Sequence, residues 1–505
     1  MSIPATAPTR PYARLALASA ALCSLAACGS SSSETGAGPR PLNVLLITLD
    51  TTRADRLGCY GHAAARTPVI DKLASGGLRF ERALSTAGIT PMSHSSILTG
   101  LNNYDHGMRV FHSEEVSHRL KDEVNSMPEI LGAEGWRTGA SISAYPVSEP
   151  YNLNQGFDRF ESGVLKVDQL NLAKQQSHKT FWGRGGATVT QRAGDQTVDD
   201  AIDFIGPEGS EQPWALWVHL FDAHDFSIVP PADFLDSLGV ECPPEGTRTQ
   251  GKAQHEWRER MYDPELAYID TLLGRMVDHL EDIGELDSTV IVITADHGQG
   301  LLDGLERHNW GKHRLLYDWS LHVPMILHVP GEAPAVIGDQ VRTIDVLPTV
   351  LEALNFPPAE GIEGLSMLPL ARGATEPKPR IAYADALNLH DSHSPPLKAL
   401  GKNYDNLYCA TDGVWKYIFH EEQPANSELF HLAEDPLELS NLYAAEHPQA
   451  KRLHAFLDER KAWNTEKPTA GSGGNAASLQ SLGYGGGGSV ADPADDDVQE
   501  GEKKD

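Results

Sequence analysis

Apolar runs that end abruptly at polar residues constrain the fold of this chain more than any other feature. The clearest is 42–49, a continuous run with β-branched members that ends at Asp50. An apolar run without alternation is typical of a strand buried on both faces, as in a parallel sheet. Further strands are predicted at 138–143, 214–221, 289–294 and 323–329.

Helical patterns separate these runs. Apolar residues recur at helical spacing over 266–283, and Gly284 follows as a stop signal. Other helices are predicted after Thr67-Pro68, over 128–133 and over 344–354. Strands that alternate with helices predict an α/β fold with a doubly wound, mostly parallel sheet, whose site lies at the carboxyl ends of the strands.

The pattern changes after residue 372, where short aromatic and β-rich pieces such as 414–419 and 428–432 alternate with turns. These pieces predict a smaller C-terminal α+β domain packed on the first. The predicted divisions are a signal segment (1–28), a Ser/Gly tether (29–41), an α/β domain (42–375), the C-terminal domain (376–463) and a Gly/Ser-rich, acidic and largely disordered tail (464–505).

The N-terminal segment predicts export. Arg10 and Arg14 precede a short apolar run, 15–27, which closes on Leu-Ala-Ala before Cys28. This ending resembles a bacterial lipoprotein box, which implies a lipid anchor on Cys28 and a membrane-anchored, periplasmic or cell-surface protein. Cleavage nearby by an ordinary signal peptidase is the alternative.

The charge of the chain bears on its partners. The formal net charge of −29 at pH 7 argues against a nucleic-acid partner and against adhesion to anionic lipid by charge alone. It leaves open an anionic substrate, because a metal ion can create positive potential in one cleft.

The stretch 85–100 reads as a loop that runs into a short helix. Thr90 and Pro91 stand at its start, and Gly100 is placed to end it. A hydroxyl at a helix start lies where backbone N–H groups point outward, which favours an oxyanion or an anionic ester. The alternative for Thr90 is that it serves only as a helix cap.

Candidate metal ligands follow three of the predicted strands. They are Asp50, the Asp296-His297 pair, and Asp222 with His224. A lone Asp after a strand is more often a turn or a helix cap, but an Asp-His pair that leaves one strand end is more specific. With the Thr90 oxygen, Asp50, Asp296 and His297 would hold one divalent ion, beside which the hydroxyl becomes a nucleophile.

Several long segments follow one another in a recognisable order. They include NVLLITLDTTRADRLGCYG (43–61), MSHSSILTGL (92–101), VHLFDAH (218–224) and ELAYIDTLLGRMVDHLEDIGELDSTVIVITADHG (265–298). In these and other pieces, which cover nearly all of residues 42–445, the chain resembles the sulfatase family of the alkaline-phosphatase superfamily. The resemblance implies a large α/β domain that bears the site, a small C-terminal domain with a four-stranded antiparallel sheet, and metal-dependent cleavage of sulfate or related esters.

The resemblance also implies roles for individual residues. The metal ligands are Asp50, Asp296 and His297 with the oxygen of Thr90, and the ion is calcium by family, with magnesium, manganese or zinc as alternatives. Thr90 takes the place of the nucleophile. The further catalytic residues are His94, at the position of the motif's arginine, His224, which matches a histidine that contacts the ester, and His313. Arg53 and Lys312 are the predicted substrate-binding residues, with Lys312 as the alternative to His313 for the family's basic residue.

Two departures from the family pattern leave the ester open. Formylglycine sulfatases need Cys or Ser within Cys/Ser-x-Pro-x-Arg, whereas this chain has Thr90-Pro91-Met92-Ser93-His94, so formylglycine cannot form. The Gly-Lys-Trp-His segment of many arylsulfatases is also missing. Direct attack by Thr90 resembles the threonine-nucleophile phosphodiesterases and phosphonate hydrolases. Three interpretations follow: hydrolysis of a sulfate ester of a small molecule, glycan or lipid; cleavage or transfer of a phosphoryl or phosphonate group; or an inactive, ligand-binding lipoprotein.

Overall fold

The computed structural model describes residues 41–113, 116–163, 191–208, 210, 212–224, 229–241, 252–301, 313–391 and 404–460. The predicted signal segment with Cys28, nearly all of the tether and the predicted tail lie outside these residues. The strands are β1 (Asn43–Leu49), β2 (Leu78–Phe80), β3 (Ala83–Leu84), β4 (Arg137–Ile142), β5 (Arg159–Glu161), β6 (Trp214–Leu220), β7 (Thr289–Thr294), β8 (His322–Val323), β9 (Met325–His328), β10 (Ala335–Ile337), β11 (Val341–Arg342), β12 (Ala382–Leu387), β13 (Asn406–Thr411), β14 (Trp415–His420) and β15 (Glu428–His431).

The α-helices of the described residues alternate with these strands. They are α1 (Pro68–Gly76), α2 (Thr90–Thr99), α3 (Asn103–His106), α4 (Met127–Ala133), α5 (Gly194–Ile205), α6 (Ala232–Ser237), α7 (Lys252–Asp282), α8 (Asp318–Leu321), α9 (Val346–Ala353), α10 (Leu368–Ala371) and α11 (Pro448–Glu459). Within the described part of the chain, none of these helices combines the length and apolarity needed to cross a bilayer.

Strand β1 lies inside an eight-stranded sheet with the order β10-β2-β9-β7-β1-β6-β4-β5. It runs parallel to β6 and β7, and β4 runs parallel to β5 and β6. Strand β9 is antiparallel to both β2 and β7. The predicted doubly wound, mostly parallel sheet is confirmed. The run predicted as one strand over 323–329 is two, because Pro324 between β8 and β9 has no N–H for a ladder hydrogen bond.

Side chains of β1 alternate between two apolar cores. Val44 and Leu46 belong to the core covered by helices α2, α4, α9 and α10. Leu45, Ile47 and Leu49 belong to the core on the opposite face, covered by α1, α5, α6 and α7. Burial on both faces explains why the run has no polar alternation.

Helix α7 begins well before the predicted 266–283 and passes through Pro264. Its first part is rich in charged residues, so the apolar periodicity is weak there. A proline removes one backbone hydrogen bond and is usually read as a helix boundary, which is why the pattern predicts a later start.

A small three-stranded sheet has the order β11-β3-β8, and a separate four-stranded sheet, antiparallel throughout, has the order β12-β13-β14-β15. One of its faces packs on helix α11 through Tyr408, Tyr417 and Leu453. The other face packs on Leu84 and Trp319 of the larger part of the chain. The predicted C-terminal α+β architecture is therefore confirmed, while the exact domain boundaries stay predictions.

A buried ionic cluster joins the four-stranded sheet to the larger part of the chain. Lys416 on β14 is fully buried, and its Nζ lies 2.9 Å from Asp318 Oδ1 and 2.8 Å from Glu438 Oε1. The other oxygen of Asp318 accepts from Arg82 Nη1 at 2.7 Å. Removing one member of such a cluster leaves a buried charge without a partner. The free-energy cost of that unpaired charge exceeds the stability that the intact pair contributes.

We therefore expect Lys416→Met to lower the free energy of unfolding by about 3 kcal/mol, as measured by urea denaturation. Lys72→Met is the matched control, because Lys72 forms an exposed pair with Glu281 at 3.6 Å. The control should change the free energy by less than about 0.5 kcal/mol. Equal effects of the two substitutions would contradict a stabilising role for the buried cluster.

Candidate metal centre and nucleophile

The parallel register of β1 and β7 brings two aspartates together. Thr48 pairs with Thr294, so Asp50 and Asp296 each follow two residues later at the same carboxyl edge of the sheet. Both side chains are fully buried. Parallel strands that end level thus place two carboxylates from distant parts of the sequence side by side.

Asp50, Asp296 and His297 each direct one ligand atom to a common point. The three atoms lie within 4.8 Å of one another, and among the described residues they form the one such group of three or more. Thr90 faces the same point: its Oγ1 lies 3.3 Å from His297 Nε2, and its hydroxyl interacts with the Asp50 carboxyl.

Backbone contacts fix the orientation of Asp296. Its Oδ1 accepts hydrogen bonds from the N–H groups of Thr51 at 2.9 Å and His297 at 2.8 Å. Its Oδ2 is buried without a hydrogen-bond partner in the described part of the chain, and lies 3.4 Å from His297 Nε2. One oxygen is therefore held by the protein, and the other faces the group of ligands.

The ring of His297 is fixed in the same way. Its Nδ1 lies 2.8 Å from the carbonyl oxygen of Gly298. A carbonyl can only accept, so the proton of the neutral ring is on Nδ1 and the lone pair is on Nε2. Contacts of this kind orient metal-binding histidines and set their tautomer.

Thr51 adopts a left-handed backbone conformation with φ of 52°. Such a conformation is strained for a β-branched residue and persists only where its surroundings hold it. Here its N–H donates to Asp296, and its carbonyl accepts from the Tyr262 hydroxyl at 2.6 Å. The bend after β1 is thus tied both to the second carboxylate and to helix α7.

Asp50 is held by His219, which the sequence reasoning missed. Asp50 Oδ2 lies 3.1 Å from His219 Nε2, and Asp50 Oδ1 is buried with no hydrogen-bond partner among the described residues. His219 lies on β6 and pairs in register with Thr48 of β1. Because Thr48 is two residues before Asp50, all three side chains lie on the same face of the sheet. A histidine inside the otherwise apolar run 214–221 is the signal that identifies it.

The electrostatics of this group favour a cation. Burial, followed by the charge of Asp296, raises the pKa of Asp50 well above its ordinary value. Burial also acts to raise the pKa of Asp296, but the neighbouring histidines, His297 first, lower it overall. A single divalent ion fits this donor set, which consists of two buried carboxylates with unpartnered oxygens, one imidazole and one hydroxyl.

Helix α2 presents Thr90 from a rigid position. All of its ten residues are buried, and it ends at Gly100 in the left-handed conformation with φ of 68°. Two of its hydroxyls bond back to the helix: Ser95 Oγ donates to Pro91 O at 2.8 Å and Thr99 Oγ1 to Ser95 O at 2.6 Å. The predicted short helix over this stretch is present, and Thr90 is its first residue.

His94 lies beneath Thr90, with both ring nitrogens bonded to protein groups. Nδ1 lies 2.8 Å from the Thr90 carbonyl oxygen, and Nε2 lies 3.1 Å from Thr48 Oγ1. The same Thr48 oxygen accepts a hydrogen bond from Trp217 Nε1 at 2.9 Å. The carbonyl requires a proton on Nδ1, so the Thr48 hydroxyl donates to Nε2. This geometry gives His94 a contact with the backbone of Thr90, and its predicted catalytic role stays a prediction.

His224 lies at the edge of the group and is 8% exposed. Its ring stacks on Phe221 with centroids 4.2 Å apart. Burial, with a smaller contribution from the neighbouring His297, lowers the pKa of His224 to about 3, so the ring is neutral at neutral pH. Asp222, the other candidate ligand after this strand, accepts a hydrogen bond from the N–H of Gly194 at the start of α5, at 3.0 Å.

The three predicted basic contacts have different outcomes. Arg53 is buried, and its guanidinium pairs with Asp55 through Nε–Oδ1 at 2.9 Å and Nη2–Oδ2 at 2.7 Å. Lys312 and the side chain of His313 lie outside the described residues. The substrate-binding and catalytic roles of all three stay predictions.

Comparison with known proteins identifies the family. The family model described as sulfatase matches residues 42–356, which is more than half of the chain. The chain belongs to the sulfatase family. A second model, for the C-terminal part of N-sulphoglucosamine sulphohydrolase, matches residues 306–463. The sulfatase family comprises metal-dependent hydrolases that act on sulfate esters.

Individual relatives agree with this assignment. The chain is 30% identical over 475 residues to a choline-sulfatase of Rhizobium meliloti, covering 84% of this chain and 87% of the relative. It is 23% identical over 525 residues to an N-acetylglucosamine-6-O-sulfatase of Bacteroides thetaiotaomicron, covering 87% and 89%. In fold it is similar to the phosphonate monoester hydrolase of Agrobacterium radiobacter, with a TM-score of 0.60, 21% identity, and 83% and 95% of the two chains covered.

Gly298 is the third residue of the Asp-His-Gly motif. It allows the loop that carries Asp296 and His297 to pack closely on the rest of the protein. Its N–H donates to Ser320 O at 2.6 Å, and a Cβ at this position would lie 2.1 Å from the carbonyl oxygen of Trp319. Because the obstacle is backbone, it cannot move aside as a flexible side chain would.

We expect Gly298→Ala to displace the loop and to lower the free energy of unfolding by about 1–3 kcal/mol. Gly76→Ala is the control, since a Cβ at Gly76 meets no atom within 4 Å. Thermal denaturation followed by circular dichroism measures both. The prediction is wrong if the two variants unfold at the same temperature.

Proposed function

We propose that the protein is a metal-dependent hydrolase of sulfate monoesters in which Thr90 is the nucleophile. The observation that supports this is the convergence of the Thr90 hydroxyl with the ligand atoms of Asp50, Asp296 and His297. The sulfated substrates in the names of the relatives, choline sulfate and N-acetylglucosamine-6-O-sulfate among them, suggest a sulfated small molecule or glycan.

In this proposal Asp50, Asp296, His297 and the Thr90 oxygen hold one divalent ion, calcium by family. Such an ion lowers the pKa of a bound hydroxyl and stabilises the charge of an ester's non-bridging oxygens. The protein supplies the orientation: each carboxylate has one oxygen fixed by a protein donor, and the imidazole is fixed through its Nδ1.

The first step is displacement at sulfur. Thr90 Oγ1 gives up its proton towards the adjacent Asp50 carboxylate and attacks the sulfur atom. The new bond joins Thr90 Oγ1 to sulfur, and the bond from sulfur to the ester oxygen breaks with its electron pair on that oxygen. The leaving oxygen takes up a proton from water and departs as the alcohol, and Asp50 returns the proton of Thr90 to water, so the step balances. His224, which is neutral, donates a hydrogen bond to the ester group, and a basic residue at 312 or 313 contacts its charge.

The second step releases sulfate. Threonine carries a single hydroxyl, so the sulfated Thr90 cannot collapse to an aldehyde as a formylglycine diol does. A water molecule must attack sulfur, break its bond to Thr90 Oγ1 and return a proton to that oxygen. Both steps therefore need an in-line approach to sulfur, and the buried start of helix α2 fixes the position of the Thr90 oxygen for it.

A phosphonate monoester or a phosphodiester is the second candidate substrate. It is favoured by the threonine itself, because direct attack by a hydroxyl at phosphorus needs no formylglycine, and the fold is similar to that of a phosphonate monoester hydrolase. The predicted lipid anchor on Cys28 would place either activity outside the cytoplasm, in the periplasm or at the cell surface.

Parallel assays of aryl sulfate, aryl phosphonate monoester and aryl phosphodiester substrates distinguish these candidates. The sulfate should be turned over with the highest kcat/KM if the first proposal is right. A preference for either phosphorus ester would move the assignment to the second candidate. No turnover of any of the three by the metal-loaded protein would favour an inactive, ligand-binding protein.

Thr90→Ala should reduce kcat on the preferred substrate by at least about a thousandfold, because no other hydroxyl replaces the nucleophile. Thr99→Ala is the matched control: Thr99 lies on the same helix and is equally buried, but its hydroxyl bonds to Ser95 O. The control should retain activity. If Thr90→Ala hydrolyses the substrate as fast as the parent, Thr90 is not the nucleophile.

Removal of metal should abolish turnover and lower the unfolding temperature, because Asp50 and Asp296 then repel each other inside the protein. Dialysis against a chelator, followed by separate additions of calcium, magnesium, manganese and zinc, tests this and identifies the ion. Asp296→Asn should prevent recovery by any of the four. Full activity of the chelated protein would exclude a metal-dependent mechanism.

A further inference from the structure

His219 is a fully buried histidine that lies outside the ligand group and takes part in neither step of the proposed reaction. It lies on β6, and its Nε2 is 3.1 Å from Asp50 Oδ2. Its ring packs edge-to-face on His94 with centroids 4.9 Å apart, and lies 5.9 Å from Phe221.

The hydrogen bond determines where the proton of His219 lies. As a metal ligand Asp50 is ionised and can only accept, so Nε2 carries the hydrogen and donates it to Asp50. Nδ1 is then a bare acceptor, and it has no hydrogen-bond partner within the described residues. A buried polar atom without a partner costs about 1–3 kcal/mol, so the ring is poorly suited to a purely structural role in an apolar strand.

The contact also determines which oxygen of Asp50 faces the ligand group. The terminal torsion of an aspartate is broad, so an unheld carboxylate rotates readily. Repulsion from Asp296 would favour turning Asp50 away from the common point. With Oδ2 held by His219, the unpartnered Oδ1 is the oxygen that remains for a cation.

We propose that His219 is a positioning residue that orients Asp50 for metal binding. The inference rests on the metal site of the proposed function, and it extends that site to a residue outside its ligands. His219 and His94 then support the site together: one orients a ligand, and the other contacts the backbone of the nucleophile.

Two substitutions of equal length separate the hydrogen bond from packing. His219→Gln places an amide N–H close to the position of Nε2 and keeps a donor for Asp50. His219→Met has a similar length and volume without a donor. His106→Gln is a control for the loss of a buried histidine, since His106 is fully buried and its Nε2 contacts Ser96 Oγ at 3.0 Å, outside the ligand group.

The measurement is the affinity of the chelator-treated full-length chain for Mn²⁺ and Ca²⁺, by isothermal titration calorimetry, with circular dichroism to verify folding. We expect His219→Met to weaken the Kd by about 10–100-fold, the usual effect of losing an outer partner of a metal ligand. His219→Gln and His106→Gln should both stay within about threefold of the parent, because Gln keeps the donor and His106 lies outside the site.

Parent-like affinity in a folded His219→Met variant would overturn the proposal, as would equal weakening by Gln and Met, which would indicate packing alone. A parent chain that binds neither ion also overturns it. Failure of the proposed function would give a different result. In that case the protein would bind metal with the expected dependence on His219 but would hydrolyse none of the tested esters.

Discussion

Repulsion between two buried carboxylates is the constraint on which this structure depends. The parallel register of β1 and β7 places Asp50 and Asp296 side by side, where water cannot screen their charges. The protein balances this in part with the protons and dipoles around them: the N–H groups of Thr51 and His297 on one carboxylate, and the ring of His219 on the other. The oxygens that remain define where a cation would bind.

The order of the sheet explains why such distant residues meet. Strands β1, β6 and β7 are neighbours and parallel, so every polar residue that follows or ends them lies at one edge. Asp50, His219, His224, Asp296 and His297 all come from these three strands or from the turns after them. Thr90 reaches them from helix α2, which covers one face of the sheet.

Periodicity and composition were sufficient to predict this framework. Uninterrupted apolar runs predict strands buried on both faces, and the ends of those runs identify Asp50 and the Asp296-His297 pair, which the structure then brings together with Thr90. What the sequence could not provide was orientation. Whether Arg53 faces an anion or pairs with Asp55 depends on the backbone conformation of the short loop that joins them, which the sequence does not reveal. His94 and His219 were hard to interpret because a buried histidine has no periodic signal, and its role depends on which neighbour each ring nitrogen meets.

Helix α2 has one further consequence. Packing surrounds it on every side, and its hydroxyls bond either to its own carbonyls or to neighbouring groups such as Ala87 O and Asn103 Oδ1, so the helix is fixed in place. Small side chains such as Ser93, Ser95 and Ser96 let it fit between its neighbours. Over evolutionary time this should make the helix intolerant of bulk even at positions far from any reacting atom. The region around residue 90 should therefore change its chemistry mainly by exchanging one small side chain for another, as the presence of threonine there illustrates.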